Sequence, residues 1–204
     1  MENLEIYSET YTIRKLTPER LEDYLAFFDH DAFADHPEWA FCYCRLHHFP
    51  HDQRAWGATT AEENREAVID LIQAGILRGY LAYLGDKPVG WCNAGPRVRM
   101  TTTPDYDEPD AEATGSIMCF VVAKEHRRRG IARRLLDAAC AGFAAQGFTF
   151  AEAYLFQGAQ GDAANYPGPL AMYLAAGFER YRTCPCEACF CESDEILVVR
   201  KKLA

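Results

Sequence analysis

An arginine-rich turn near the middle of the chain has the composition of an anion-binding site. Residues 126–134 read His-Arg-Arg-Arg-Gly-Ile-Ala-Arg-Arg, between an apolar run at Ser116–Val122 and a segment of helical periodicity at Ala132–Phe143. The first N–H groups of a helix lack internal partners and carry the positive end of the helix dipole, so they suit phosphate oxygens. Gly130 and Ala132 keep side-chain bulk small where a diphosphate would approach the backbone. The alternative interpretation is a solvated run of charge at the start of a helix.

Hydrophobic patterning predicts the elements that must position this turn. Helices are predicted at Thr17–Phe28, Thr60–Gly75, Ala132–Gly147 and Pro169–Ala176. Strands are predicted at Tyr11–Leu16, Gly79–Leu84, Pro88–Asn93, Ser116–Val122, Phe148–Tyr154, Phe178–Arg182 and Glu195–Lys202. No repeat or flexible linker divides the sequence. This mixture predicts one α/β domain over residues 1–204, layered around a mostly antiparallel sheet.

The composition disfavours several classes of function. The chain has 204 residues and a formal net charge of −9, which opposes general binding to nucleic acid or to an anionic membrane. Its longest apolar run is far shorter than the roughly 18 residues that a membrane span needs. The acidic N-terminus shows no export signal, and an odd number of cysteines, 9 in all, favours free thiols or metal ligands over disulfides. We therefore expect a cytoplasmic protein.

The turn and a later segment carry two recognisable patterns. Arg127-Arg128-Arg129-Gly130-Ile131-Ala132 has the form Arg/Gln-x-x-Gly-x-Gly/Ala, and Pro169–Phe178 ends in Tyr-x-x-x-Gly-Phe. In this order and on these elements, the two patterns resemble the GNAT superfamily of acetyl-CoA-dependent N-acetyltransferases. The resemblance follows the element order from Tyr11 to the C-terminus and is sharpest from Ser116 to Phe178. It implies the GNAT fold, an α/β fold with a mixed, mostly antiparallel central sheet and helices on both faces.

The resemblance also implies how acetyl-CoA would bind as a co-substrate. Backbone groups of Phe120, Val121 and Val122 would pair with the pantetheine arm like an added strand, and the thioester would lie between Phe120 and the Glu152–Tyr154 stretch. A backbone N–H near Val121 would stabilise negative charge on the thioester oxygen. The cofactor-binding residues implied in this way are Phe120, Val121, Val122, Arg127, Arg128, Arg129, Gly130, Ile131, Ala132 and Arg133.

Two side chains are candidates for proton transfer. Tyr173 lies where the family often places the general acid that protonates the departing thiolate, and simple aromatic packing is the alternative. Glu152, on the strand beside the thioester, is the first candidate for the base, and a paired structural carboxylate is its alternative. Where family members carry a glutamate early on the central strand, this chain has Thr114-Gly115-Ser116. Further possibilities are a water chain without a dedicated base, or water-mediated action of Asp107, Glu108 or Glu112.

The segment before the second helix has the residue types of a pocket wall. It reads Trp39-Ala40-Phe41-Cys42-Tyr43-Cys44 and continues to His47, His48 and His51. In GNAT folds this region usually walls the acceptor pocket, which implies transfer to a primary amine of a small cationic molecule by direct attack in a ternary complex. The protein would be a monomer or a homodimer. Candidates for cation–π contact or electrostatic steering of the amine are Trp39, Tyr43, Trp56, Trp91, Asp105, Asp107, Glu108, Asp110 and Glu112.

Cysteines form a second group of candidates. Four lie close together in the expected hairpin between the last two strands, at Cys184, Cys186, Cys189 and Cys191. Short spacers can close a tetrahedral zinc site, but this spacing departs from common zinc motifs, so redox-sensitive or incidental thiols are expected and no metal is predicted. The group Cys42, Cys44, His47 and His48 also has ligand types, and its aromatic neighbours favour a pocket wall instead.

Two alternatives to direct transfer remain open. Cys119 lies near the expected thioester, which suggests a covalent route through an acylated thiol. Direct transfer is preferred because no histidine in the sequence has an evident position to activate that cysteine. A different class of function is a GNAT-like module that binds acyl-CoA or a metal through its cysteines and acts as a sensor without turnover.

Overall fold

A computed structural model describes residues 10–104, 108–157, 165–185 and 195–204. Its strands form one seven-stranded sheet. They are β1 (Tyr11–Lys15), β2 (Gly79–Leu84), β3 (Lys87–Pro96), β4 (Thr114–Val122), β5 (Phe150–Phe156), β6 (Glu179–Pro185) and β7 (Glu195–Lys202). The α-helices of the described residues are α1 (Leu21–Ala26), α2 (Ala61–Gln73), α3 (Ile131–Ala145) and α4 (Leu170–Ala175).

Local sequence signals set the ends of the two long helices. The Thr60 side chain accepts a hydrogen bond from the Glu63 N–H while the Glu63 carboxylate accepts one from the Thr60 N–H, so α2 begins with the capping box that its sequence predicts. Gly130 precedes α3 with a left-handed φ of 78°. The buried side chains of α3 recur at helical spacing and pack against the sheet.

Two neighbouring strands at the centre of the sheet separate part-way along their length, which leaves a gap between them. The order is β1-β2-β3-β4-β5-β7-β6, and all neighbours are antiparallel except β4 and β5, which run parallel. The β4–β5 pairing ends at Ile117 and Ala153, although the two strands continue to Val122 and Phe156. Beyond that pairing the strands separate, and the edge of β4 is available to another chain or a ligand.

A bulge in β4 changes which of its side chains face each of the two helical layers. Asn93 of β3 is opposite Cys119 and Ala94 is opposite Ile117, so Met118 is the extra residue. Met118, Cys119 and Val121 therefore pack in the layer of α1 and α2, whereas Ile117 packs in the layer of α3. The two layers are separate hydrophobic clusters on opposite faces of the sheet.

These features confirm the predicted fold class, a mixed α/β arrangement with a mostly antiparallel sheet and helices on both faces. The predicted third strand was too short, since β3 extends to Pro96. A π turn at Phe27–Asp31, which ends the first helix, was not predicted. Segment 33–56 is a series of short 3-10 turns, as its lack of periodicity predicts. Among the described residues no helix is both long enough and apolar enough to cross a membrane.

Candidate active site

A cavity of about 610 Å³ joins the N-terminus of α3 to the segment between α1 and α2. One end is formed by β4 and the arginine-rich turn, and it includes every predicted cofactor-binding residue except Arg129. The other end is largely aromatic and includes Phe33, Trp39, Phe41 and Trp56. One continuous cavity therefore connects an anion-binding end with an apolar end.

The turn before α3 has the conformation that an anion-binding backbone needs. Arg128 and Gly130 both adopt left-handed φ angles, 62° and 78°, and the Gly130 carbonyl accepts the first helical hydrogen bond, from Arg134. A Cβ atom built on Gly130 would meet no protein atom within 4 Å. The space above the turn is therefore open, and the first N–H groups of α3 lie beside it without partners in the helix. This arrangement fits a diphosphate.

The arginines of the turn have different partners. Arg127 donates to both oxygens of Asp35, at 2.7 and 2.9 Å, and to the Val122 carbonyl at 3.0 Å. Arg133 pairs with Asp137 one helical turn later, at 3.0 Å. Arg128 is exposed and lines the cavity. Arg127 therefore fixes the turn against the opposite wall of the cavity, while Arg128 supplies positive charge at its mouth.

The edge of β4 that faces the gap is partly occupied by the chain itself. The Phe120 N–H donates to the Tyr166 carbonyl at 2.7 Å, and the Val122 carbonyl accepts from Arg127. Backbone groups alternate along a strand, and the Ala123 N–H donates to Val89 on β3. The N–H of Val121 therefore points towards β3 rather than into the gap. This excludes the Val121 N–H itself, so the donor expected near Val121 would be the N–H of Phe120 or of Val122, which alternation directs towards the gap.

Tyr173 is buried beside the cavity. Its hydroxyl donates to the Pro167 carbonyl at 2.6 Å, and its ring packs edge-on against Phe178. Burial raises the pKa of Tyr173 well above its ordinary value, so the phenol keeps its proton at neutral pH. The side chain does not line the cavity, whereas the preceding Met172 does.

Glu152 lies in a buried ion-pair network where β5 still pairs with β4, opposite Ser116. Its carboxylate accepts from Arg200 at 2.7 Å and from the Tyr154 hydroxyl at 3.0 Å, and it lies 3.5 Å from Arg97. The side chain is fully buried and does not line the cavity. These contacts favour the structural alternative over the predicted role of Glu152 as a base, because the carboxylate is held by cations away from the space where an amine would bind.

Comparison with known proteins identifies the family of this chain. The sequence profile of the acetyltransferase (GNAT) family matches residues 5–166. The chain belongs to the GNAT acetyltransferase family. This family uses acetyl-CoA. None of the curated proteins compared with the chain matches its sequence.

Solved GNAT structures share the fold at low sequence identity. An N-acetyltransferase from Staphylococcus aureus Mu50 aligns with a TM-score of 0.59 at 16% identity, over 96% of this chain and 99% of that one. A ribosomal-protein-alanine N-acetyltransferase from Brucella melitensis aligns with a TM-score of 0.56 at 18% identity, over 94% and 99%. The putative acetyltransferase yncA from Salmonella typhimurium, solved with acetyl-CoA, aligns with a TM-score of 0.54 at 13% identity, over 95% and 94%.

The ion pair at the turn of this GNAT chain predicts a pH-dependent contribution to stability. Hydrogen bonds from Arg127 lower the pKa of Asp35, so the ionised carboxylate adds stability above its unfolded pKa of about 3.9 and loses it as the pH falls through the folded value. We expect Asp35→Asn to lower the free energy of unfolding by about 1 kcal/mol at pH 7. Urea unfolding of both proteins over an acid pH series should show the difference shrinking towards zero, and a difference independent of pH would contradict this origin.

The aromatic end of the GNAT cavity differs in detail from the predicted acceptor wall. Trp39 and Trp56 line it, and Trp39 stacks on His36 with ring centroids 4.1 Å apart. Tyr43 and Trp91 are buried behind the wall. Of the predicted steering residues, Glu108 is buried and pairs with Arg200 at 2.7 Å, and Asp105 and Asp107 lie outside the described residues. Among the described residues, no carboxylate lines the cavity.

The cavity also contains a cluster of thiol and imidazole groups that the sequence indicated only in part. Cys44 and His47 come from the segment before α2 and Cys119 comes from β4, and all three are buried in the wall. Burial acts to raise the pKa of Cys44, but hydrogen bonds from Cys119 and Asn93, together with the nearby indole N–H of Trp91, outweigh it and lower that pKa. Burial lowers the pKa of His47 to about 3, so this imidazole is neutral at physiological pH. The Cys-x-x-His spacing was visible in the sequence, whereas the contribution of Cys119 was not.

The other predicted cysteine group is only partly described. Cys184 is a buried free thiol at the end of β6. Cys186, Cys189 and Cys191 lie outside the described residues. Zinc in the hairpin therefore stays untested.

Proposed function

We propose that this GNAT protein transfers an acetyl group from acetyl-CoA to a primary amine of a small molecule by direct attack within a ternary complex. The observation that carries the proposal is the cavity that runs from the open turn before α3, past the part of β4 that does not pair with β5, to an aromatic wall. The anion-binding end suits the diphosphate of acetyl-CoA. The apolar end suits a small acceptor held beside the thioester.

Donor binding would require two hydrogen bonds to change. The consecutive carbonyls of Tyr166 and Pro167 accept from the Phe120 N–H and from the Tyr173 hydroxyl. These are the backbone donor and the phenol that the proposed donor pocket needs. We infer that pantetheine entry shifts Tyr166–Pro167 outward, which frees both donors in one movement.

The proposed transfer forms one bond and breaks another. The neutral amine nitrogen attacks the thioester carbonyl carbon, the carbon–sulfur bond breaks, and the sulfur leaves as a thiolate that takes a proton from Tyr173. The Tyr173 phenolate then regains a proton from water, which receives the proton that the nitrogen releases. The amine loses its proton to water, because the described carboxylates do not line the cavity. Selectivity for a cationic acceptor would depend on Trp39 and Trp56, whose ring faces can hold an ammonium group as it arrives.

Replacing Tyr173 tests the proposed acid. Tyr173→Phe keeps the buried ring and removes the hydroxyl, so we expect kcat to fall about 100-fold with little change in the KM for acetyl-CoA. Phe178→Leu is the matched control, because it disturbs the edge-on ring contact of Tyr173 and leaves the hydroxyl in place. Equal kcat values for Tyr173→Phe and the wild type would assign Tyr173 to packing alone.

The function itself is tested by measuring coenzyme A release over a panel of primary amines. Aromatic and aliphatic amines should support release of coenzyme A above the background hydrolysis of acetyl-CoA. Mass spectrometry should then find an amide about 42 Da heavier than the amine, because an acetyl group replaces one hydrogen. Acetyl-CoA binding without release across the panel would instead favour the sensor alternative. Acetylation confined to protein N-termini would correct the substrate class.

A further inference from the structure

The geometry points to a zinc site in the wall of the cavity, with Cys44, His47 and Cys119 as ligands and the fourth coordination position open towards the acceptor end. Nothing in the proposed acetyl transfer requires this ion. The inference stands on the arrangement of the side chains, so it holds or fails independently of the proposed function. It also departs from the expectation, drawn from the sequence, that no metal binds.

The three ligand atoms are close enough to hold one ion. They all lie within 4.8 Å of one another, and in the part of the chain that the structure describes no other group of three cysteine, histidine or acidic side chains meets that condition. In a tetrahedral zinc site, with Zn–S of about 2.3 Å and Zn–N of about 2.0 Å, ligand atoms are about 3.5–3.8 Å apart. A movement of about 1 Å per pair would therefore complete the site.

Neighbouring groups orient the ligands in the way that metal sites require. The Nδ1 atom of His47 lies 2.6 Å from the Thr102 hydroxyl, so in the tautomer that donates to Thr102 the lone pair is on Nε2. The Asn93 amide donates to the Cys44 sulfur at 3.4 Å and to the Cys44 carbonyl at 3.2 Å. The buried indole N–H of Trp91 makes no hydrogen bond of normal geometry, and it lies near the Cys44 sulfur. Such outer partners fix ligand orientation in established metal sites.

The backbone that carries Cys44 is held in an uncommon conformation. Tyr43 and Cys44 are consecutive non-glycine residues with left-handed φ angles of 45° and 51°. Tyr24 donates to the Tyr43 carbonyl at 2.5 Å, and Asn93 holds the next carbonyl, so buried partners impose the turn. Strain of this kind persists where the surroundings demand one orientation of a side chain. Here the turn directs Cys44 towards Cys119.

The chemistry of the three groups selects the ion. Two thiolates and a neutral imidazole balance the charge of a divalent cation, which lowers the cost of burying it. Sulfur and imidazole ligands favour zinc over magnesium or calcium, which prefer oxygen. Closed structural zinc sites have four protein ligands, whereas sites with three keep a position for water or a substrate. Because all three side chains line the cavity, that position faces the acceptor space.

The experiment measures metal in the full-length protein, purified without chelator and then titrated with zinc. We expect one equivalent of tightly bound zinc in the wild type. Binding should weaken at least 100-fold in Cys44→Ser and in His47→Gln, because each loses one of three ligands. Cys140→Ser is the matched control, since this buried cysteine is on α3 behind the sheet. It should bind zinc like the wild type.

The four hairpin cysteines need their own control. A variant that combines Cys184→Ser, Cys186→Ser, Cys189→Ser and Cys191→Ser should retain the equivalent of zinc. Loss of zinc from this variant and its retention in Cys44→Ser would overturn the proposal and move the metal to the hairpin.

X-ray absorption on the zinc-loaded wild type avoids any dependence on how the variants fold. The proposed site predicts two sulfur atoms at about 2.3 Å and two lighter ligands at about 2.0 Å. Four sulfur ligands would overturn the proposal, and so would failure of the wild type to bind zinc at micromolar concentration. A fourth ligand that changes when an amine is added would place the open position at the acceptor.

Discussion

Gly130→Leu should weaken the binding of acetyl-CoA roughly 10- to 100-fold, the factor expected from losing one or two charge-assisted hydrogen bonds to phosphate. Gly130 is the last residue of the turn before α3, and a Cβ atom there would meet no protein atom within 4 Å. The added side chain would therefore project into the open space where the diphosphate must approach the helix N–H groups. The mechanism is steric exclusion of the ligand, with little disturbance of the protein core.

Gly147→Leu is a control with the same backbone penalty. Gly147 follows the other end of α3 with a φ of 84°, and a Cβ there also meets no atom within 4 Å. A leucine in a left-handed conformation costs about 1–2 kcal/mol at either position. Both variants should therefore lose similar stability, and only Gly130→Leu should lose affinity.

Titration calorimetry with acetyl-CoA and with free coenzyme A measures this difference. Both ligands should lose affinity by a similar factor in Gly130→Leu, because the diphosphate is common to them. Equal affinities for Gly130→Leu and Gly147→Leu would show that the diphosphate binds elsewhere, and the assignment of the donor end of the cavity would fail.

Local signals explain why the sequence could predict which residues lie together at the N-terminus of α3. The capping box at Thr60 and Glu63, the periodicity of α3 and the turn at Gly130 each depend on residues close together in the chain. The same holds for the nine predicted cofactor-binding residues that line the cavity, since they belong to β4, the turn after it and the first residues of α3.

The acceptor end depends on contacts between distant segments, which sequence spacing does not show. Cys119 faces Cys44 and His47 only because the bulge at Met118 reverses the alternation of β4. A regular strand would have placed Cys119 on the side of α3. No histidine has an evident position beside Cys119 in the sequence, because His47 is 72 positions away in the chain (119 − 47) and only the fold brings the two together.

Glu152 shows that ion pairs between distant segments are equally hard to predict from the sequence. On the sequence, a carboxylate beside the expected thioester is a candidate base. In the fold, it meets Arg200 from β7 and Arg97 from the end of β3, and Glu108 completes the network through Arg200. The partners come from segments that no local pattern connects.

We therefore expect Glu152→Gln to act mainly on stability. Removing the negative charge deprives Arg97 and Arg200 of a buried carboxylate partner, and breaking a buried pair in this way costs about 3–5 kcal/mol of unfolding free energy. Urea unfolding at pH 7 measures the loss. Activity per folded molecule should stay within a few-fold of the wild type, because the carboxylate does not line the cavity.

Glu112→Gln is the matched control, since Glu112 is an exposed carboxylate just before β4 and was also considered as a base. It should change neither stability nor rate. A base role for Glu152 predicts the opposite pattern: near wild-type stability, a kcat that falls at least 100-fold, and loss of the acidic limb of the pH–rate profile. The ratio of the two effects decides the role, because an ion-pair network changes the amount of folded protein whereas a base changes the turnover of each folded molecule.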